Sequence, residues 1–353
     1  MALYNKYDKN TLRKKLQSEN FKRHTVSFYR YVILDDLENR RNTLFTEWTA
    51  FGVLGRVYIA REGINAQISI PEHNVAAYTQ WLNATQEFKN MPLKWAVEDR
   101  TDSFLKLIVR VKQKIVADGL DDNSFDVTNV GTHLSAKEFN AAMEQEGTIV
   151  VDMRNHYESE VGKFTGAITP DADTFKEELP MVLEELKGKE NQKVLMYCTG
   201  GVRCEKASAY LKHHGFTDVN QLHGGIINYV RQIKDEGLES KFIGKNFVFD
   251  QRLGERITND IIAECHQCGA PCDNHTNCAN DDCHLLFIQC EACKSKMKNC
   301  CTPACMEVIA LPIEEQRKLR RGERKLHSHA VYKSRLRPDL KQILKSEKKD
   351  DKT

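Results

Sequence analysis

Twelve of the 353 residues are cysteines, and none precedes Cys198. Cys198 ends the apolar run Val194-Leu195-Met196-Tyr197, and Thr199, Gly200, Gly201, Val202, Arg203 and Cys204 follow before a helical pattern begins. A strand, a glycine loop and a helix start in that order turn successive backbone N–H groups inward as an anion nest. The helix N-terminus adds a partial positive charge and Arg203 a full one. Together they favour the thiolate, the reactive form of cysteine. Gly200 and Gly201 let the backbone curl. The plainer reading of Cys198 is a small hydrophobe closing a strand. Cys204 reads either as a resolving thiol for Cys198 or as packing in the first helical turn.

The other ten cysteines are Cys265, Cys268, Cys272, Cys278, Cys283, Cys290, Cys293, Cys300, Cys301 and Cys305. In a reducing compartment such a cluster points to metal rather than disulfides. Cys265-x-x-Cys268 and Cys290-x-x-Cys293 have knuckle spacing, in which two thiolates grip one tetrahedral zinc. Separated by 21 residues, the two pairs could form one four-thiolate site; ten thiols more naturally form two sites, with the other six cysteines supplying the rest and His266, His275 and His284 as reserve ligands. Four thiolates close the coordination sphere, so the expected role of zinc is structural. An iron–sulfur cluster would use the same ligand types.

These groups need elements to hold them. Residues 26–34 read as a strand, 37–51 as a helix, 56–60 and 64–70 as two strands around the turn at Glu62-Gly63, and the stretch after Pro71 as a second helix. Strand patterns at 93–99 and 104–116 complete a β-α-β-β-α-β order with an extra strand. That order predicts an α+β, ferredoxin-like split βαβ domain. Asp121, Asp122 and Asn123 read as a linker. Beyond it, 148–154 and 193–198 are short unalternating apolar strands, as expected of a parallel sheet covered on both faces, with helical patterns between them.

Cys198-x-x-Gly201-x-Arg203 resembles the active-site loop of rhodanese domains. Upstream, Val151-Asp152-Met153-Arg154 with Glu158, Gly162, Phe164, Gly166, Ala167 and Pro170 is similar to a second rhodanese signature, with Lys163-Phe164 replacing the usual His-Ile. Downstream, Gly215 to Val219 and Leu222-His223-Gly224-Gly225-Ile226 resemble its closing strand and Gly-Gly turn. Arg61-Glu62-Gly63-Ile64-Asn65, YCTGGVRCEKAS and FIGKNFVFDQR with CHQCGAPC extend the likeness over nearly the whole chain, the basic tail excepted. They resemble the rhodanese-domain bacterial proteins that hydroxylate uridine 34 of tRNA, with oxygen, to 5-hydroxyuridine. The resemblance implies Cys198 as the catalytic cysteine with Arg203 beside it, and Asp152 and Arg154 in support. The expected organisation is a ferredoxin-like domain over 1–122, an α/β rhodanese domain with a parallel sheet over 126–240, a small Cys-rich zinc-binding segment over 241–312, and a basic tail over 313–353.

The implied partner is tRNA, whose anticodon-loop bases can splay into a pocket. Uracil C5 is not electrophilic, so the workable route adds Cys198 to C6 and lets C5, with enolate character, meet an oxygen-derived species. The sequence shows no flavin or 2-oxoglutarate signature and no facial triad. A persulfide-carrying sulfurtransferase would use the same nest, and a non-catalytic adaptor is a third reading. Candidate RNA contacts are Arg61, Arg110, Lys112 and Lys114, and Arg317, Lys318, Arg320 and Arg321 at the head of the tail. Residues 317–353 hold fourteen Lys and Arg against five Asp and Glu; a solvated terminal charge run is the bland account. With a net charge of +2 overall, the chain is no general polyanion coat. No apolar run reaches the ~18 residues of a membrane helix, and the N-terminal stretch lacks a secretory pattern. The expected location is therefore cytoplasmic.

Overall fold

The computed structural model describes residues 3–5, 7–97, 103–121, 124–321 and 340. The rest of the basic tail, and Asp122 and Asn123 of the expected linker, lie outside the described residues. The contacts gather the chain into two compact units. Among the described residues, one comprises those of 1–155, 166–241 and 248–255; the other comprises those of 156–165, 242–247 and from 256 onward.

The first unit contains two sheets. Helix α1 (Lys9–Gln17), not anticipated from the sequence, is capped by Asp8, whose carboxylate accepts from the N–H groups of Asn10 and Thr11 at 2.9 and 3.1 Å. Then come β1 (Arg23–Tyr31), α2 (Leu37–Ala50), β2 (Leu54–Ala60), β3 (Gly63–Pro71), α3 (Val75–Ala84), β4 (Lys94–Trp95) and β5 (Leu107–Val111). They form a five-stranded sheet in the order β4-β1-β3-β2-β5, so the split βαβ arrangement is present with its extra strand. Strand β1 starts three residues earlier than its composition suggests. It pairs in full register with β3, from Arg23 opposite Pro71 to Tyr31 opposite Gly63, and pairing rather than hydropathy sets its ends. The turn into β3 requires glycine: Gly63 has φ +147°, and a Cβ there would lie 2.0 Å from the Arg30 carbonyl oxygen.

Alternation gives this sheet two different faces. Val26, Phe28, Ile64, Ala66 and Ile68 are buried together with Leu44, Trp48, Tyr78 and Leu82 of α2 and α3, forming one core. Ser27, Tyr29 and Tyr31 occupy the opposite face of β1.

The second sheet of this unit is parallel throughout, in the order β6-β10-β9-β7. It is built from β6 (Thr132–Leu134), α4 (Ala136–Met143) and β7 (Ile149–Asp152). The chain leaves for α5 (His156–Ser159) and β8 (Gly162–Phe164) of the other unit. It returns with α6 (Phe175–Glu185), β9 (Lys193–Tyr197), α7 (Val202–His213), β10 (Asp218–Leu222) and α8 (Gly225–Glu236). Val151, Val194, Met196, Cys198 and Val219 share a core with Leu179 and Val182 of α6 and Ala207 and Leu211 of α7. This is the sandwiched parallel sheet expected from the unalternating strands.

In the second unit, β11 (Phe242–Asn246) pairs antiparallel with β8. The short β12 (Glu255–Arg256) follows, then the hairpin β13 (His275–Asn277) and β14 (Leu286–Ile288), and the helices α9 (Glu291–Met297), α10 (Pro303–Ala310) and α11 (Ile313–Arg321). Its apolar clusters are small and half built of cysteine: Cys278, Cys300, Cys301 and Cys305 around Phe287, and Cys265 and Cys272 around Val161 and Ile288. The unit's aromatic packing, Phe164 on Phe242 and Tyr157 on Phe247, lies in its earlier segments, so from 256 onward little core serves much loop and the chain depends on cross-links of another kind.

Candidate active site and metal centres

Cys198 lies where β9 ends and before α7 begins, only 1% exposed. The Gly201 N–H donates to its sulfur at 3.1 Å. Burial opposes ionisation. The Cys204 thiol beside it, the Arg203 charge and the amides of Arg203 and Cys204 outweigh that opposition and bring Cys198 down to about 5. Cys204 is fully buried, and burial pushes its own thiol well above the ordinary value, so it stays protonated and serves as a donor. Arg203 is itself buried, its guanidinium 5.9 Å from the centre of the Phe249 ring.

The loop's curvature depends on two glycines. Gly201 caps α7 at φ +98°, while Gly200 has open space where a Cβ would stand and needs no glycine for steric reasons. Gly225 sits under the loop at φ +69°; a Cβ there would lie 2.5 Å from the Cys198 carbonyl oxygen and 2.6 Å from that of Thr199. Its absence lets the start of α8 close on the loop. The Ile226 and Ile227 N–H groups donate to the carbonyls of Cys198 and Thr199 at 3.0 and 3.2 Å. Orphan donors of one helix thus tie down the loop that feeds another.

Asp152 and Arg154 lie beside the loop as a fully buried bidentate pair at 2.8 and 2.6 Å, and the Tyr197 hydroxyl donates to Asp152 at 2.7 Å. They brace the ends of β7 and β9. Asp152→Ala removes the carboxylate that holds this buried guanidinium by two bonds and is expected to lower unfolding free energy by about 3–5 kcal/mol. Urea unfolding measures it; a loss under ~1 kcal/mol would show the pair to be dispensable.

The first sheet contributes groups that the sequence reading did not find. The Lys94 ammonium donates to the Gly200 carbonyl at 2.7 Å. The Tyr29 hydroxyl donates to Glu205 at 2.8 Å, and the Tyr31 hydroxyl donates to the Val202 carbonyl at 3.4 Å. Glu205 also meets His133 at 3.0 Å and Gln221 at 3.0 Å, with the His133 and His223 rings 5.5 Å apart. Burial works against the Glu205 charge, but bonds from His133, Tyr29 and Gln221 hold its carboxyl below the usual range. The one local signal was an acidic residue in the first turn of the helix after the loop. Lys94 and Tyr29 lie more than a hundred residues away and gave none.

The Arg61-to-Asn65 motif proves to be a brace for α7. Glu62 accepts from the Ile115 N–H at 2.7 Å and pairs at 2.8 Å with Lys206 on that helix, while Asn65 donates to the Ile115 carbonyl. Arg61, Arg110 and Lys112 are exposed. Lys114 is engaged internally, with Asp118 and the Leu120 carbonyl, both at 2.7 Å. On α11, Arg317 pairs with Glu314 and Arg320 approaches Asp281, whereas Lys318 is exposed. The side chain of Arg321 lies outside the described residues.

In the second unit, eight of the ten cysteines form two tetrads whose sulfur atoms lie within 4.8 Å of one another: Cys265, Cys268, Cys290 and Cys293, and Cys278, Cys283, Cys301 and Cys305. Each could hold a metal ion. Sulfur–sulfur separations are 3.6 Å for Cys268 and Cys290, 3.6 Å for Cys283 and Cys301, and 3.8 Å for Cys301 and Cys305, far beyond a disulfide bond. The Cys290 N–H donates to the Cys265 sulfur at 3.4 Å. Cys272 and Cys300 fall outside both groups. Cys272 accepts from the Asn274 N–H, and Cys300 donates to the Lys298 carbonyl. None of the reserve histidines joins a tetrad. Both ring nitrogens of His266 are already bonded, to Glu160 and to the Ile288 N–H.

A parallel sheet with a cysteine loop leading into a helix defines a rhodanese-type site, and residues 135–232 match the family of the rhodanese-like domain. Residues 23–115 match the UPF0176 acylphosphatase-like domain, and 243–306 the rhodanase C-terminal domain. The chain is 59% identical to a tRNA uridine(34) hydroxylase of Leptospira interrogans over 97% of its own length and 93% of the relative's. It is 50% identical to the enzyme of that name from Escherichia fergusonii and 51% to that from Yersinia enterocolitica, each over 91% of this chain and 92% of the relative. The chain belongs to the tRNA uridine(34) hydroxylase family. Among the described residues no helix is long and apolar enough to cross a membrane.

Proposed function

We propose that this chain uses dioxygen to hydroxylate C5 of uridine 34 in the tRNA anticodon loop, with Cys198 as its nucleophile. The observation that supports this beyond kinship is a buried sulfur held by the Gly201 amide and the Arg203 charge, an arrangement that keeps a thiolate at neutral pH. The thiolate bonds to C6 of the base, and C5 gains enolate character. C5 then attacks oxygen at the peroxide level, formed from dioxygen by a two-electron reductant. Loss of the C5 proton and departure of the sulfur with its electron pair restore the double bond. Uridine, dioxygen, two electrons and two protons thus give 5-hydroxyuridine and water. Arg203 and the loop amides stabilise the oxyanion that develops on the ring. Exposed Arg61, Arg110 and Lys112 suit phosphate contacts, and a tRNA substrate places the enzyme in the cytoplasm.

Each tetrad suits one structural zinc ion. Four sulfurs about 2.3 Å from a tetrahedral zinc stand ~3.8 Å apart, and the observed separations of 3.6 to 3.8 Å match. A cluster of several irons would need to hold its thiolates farther apart.

The function is tested in a strain lacking the gene and supplied with the wild-type chain under oxygen-18 gas. Mass spectrometry of tRNA nucleosides should show 5-hydroxyuridine carrying the heavy isotope. Restoration with unlabelled oxygen would sink the dioxygen route. Failure to restore, with thiosulfate:cyanide transfer by the same sample, would instead establish the sulfurtransferase.

A further inference from the structure

Lys94 shares a sheet face with Tyr29, because it pairs across β4 and β1 with Ser27. It is buried, its ammonium donating to the Gly200 carbonyl at 2.7 Å and standing 4.0 Å over the centre of the Tyr29 ring. Among the described residues no carboxylate forms an ion pair with it. A buried ammonium without a carboxylate is expensive unless another anion answers it. The anions that act on Lys94 are Cys198 and Glu205, and Glu205 is already bonded by Tyr29, His133 and Gln221.

We propose that Lys94 is a positioning residue of the thiolate site: the acylphosphatase-like domain supplies, through this ammonium, both an anchor for the Gly200 peptide and a counter-charge for Cys198. The inference rests on the reading of Cys198 as a thiolate. The rhodanese loop by itself contains only Arg203 as a full positive charge. Burial pulls Lys94 down to about 8, while the charges of Cys198 and Glu205 hold it up, so it remains protonated at neutral pH. The charged or titratable groups that act on the sulfur's surroundings are Arg203, Cys204 and Glu205 from α7, Tyr29 from β1, Lys94 from β4, His133 from β6 and His223 from the turn before α8.

The test uses the full metal-loaded chain and follows alkylation of Cys198 by iodoacetamide against pH, read at its own peptide by mass spectrometry. Lys94→Gln keeps a donor for the Gly200 carbonyl and removes the charge. Its alkylation midpoint should rise by about one pH unit, a tenfold loss of thiolate below the midpoint. Lys94→Arg should stay within ~0.3 unit of wild type, because the charge remains. A folded Lys94→Gln chain with the wild-type midpoint overturns the proposal. Should Lys94→Gln fail to fold, carbon-13 NMR titration of Lys94 in the wild-type and Cys198→Ala chains decides. Coupling is reciprocal, so loss of the thiolate must lower the Lys94 midpoint by about one pH unit, and an unchanged midpoint refutes the counter-charge. Neither readout involves tRNA. A failure of the hydroxylation reading would appear only in the nucleoside analysis, and a failure here only in these midpoints.

Discussion

Cys198→Ser is expected to leave uridine 34 unhydroxylated, with at least a ~10³-fold loss of product formation, the scale at which removal of a nucleophile is felt. The substitution changes one atom beside the Gly201 amide, so the fold should survive it. The ionisation should not. The donors that bring the thiol to about 5 against its burial cannot bring a hydroxyl near neutrality, and an un-ionised hydroxyl is far too weak a nucleophile to add to C6. Wild-type alkylation at Cys198 should persist down to about pH 5 and fail below it. The same depressed value contributes stability that is complete above the free-thiol range and is lost as pH falls through about 5. Nucleoside mass spectrometry, paired with circular dichroism of the variant, checks the activity loss; a folded Cys198→Ser chain still making 5-hydroxyuridine would remove the thiolate from the mechanism.

Stripping metal from the second unit should unfold it. Four sulfurs within 4.8 Å cannot all carry charge without a cation between them. Protonated thiols at that spacing offer only weak S–H bonds in its place. Structural zinc bound by such a tetrad is worth about 10–16 kcal/mol at neutral pH. Little apolar core remains to compensate, for the clusters there are themselves half cysteine. A chelating dye added after acid or mercurial release should report two ions per chain. Circular dichroism and hydrogen exchange should then show loss of structure from 256 onward while the parallel sheet stays protected. Ligand thiols must be deprotonated to bind, so the same loss should occur as pH falls. A metal-free chain with the second unit still protected would show the tetrads to be incidental.

Asp152 and Arg154 illustrate how a motif's meaning depends on what it packs against. The resemblance to the rhodanese signature implied support of the loop. The structure makes them a buried pair that also receives Tyr197, bracing two strands. Lys114 was legible as a basic residue on a strand, yet its charge is spent on Asp118. No one-dimensional pattern separates a phosphate-seeking lysine from an internally paired one.

Chemistry whose parts are contiguous is legible in the amino-acid order. A strand-end cysteine, a glycine turn, an arginine and a helix start must form an anion nest, because short-range backbone geometry builds it. Two Cys-x-x-Cys pairs must offer knuckles for the same reason. Spacing allowed those two knuckles to share an ion; only the folded chain shows the second tetrad, with the two alternating along the chain and Cys272 and Cys300 left outside. Tertiary structure alone placed Lys94 and Tyr29 against a loop more than a hundred residues distant. Both depend on how separate segments close on one another, and that closure is fixed by packing between elements rather than by spacing within any of them.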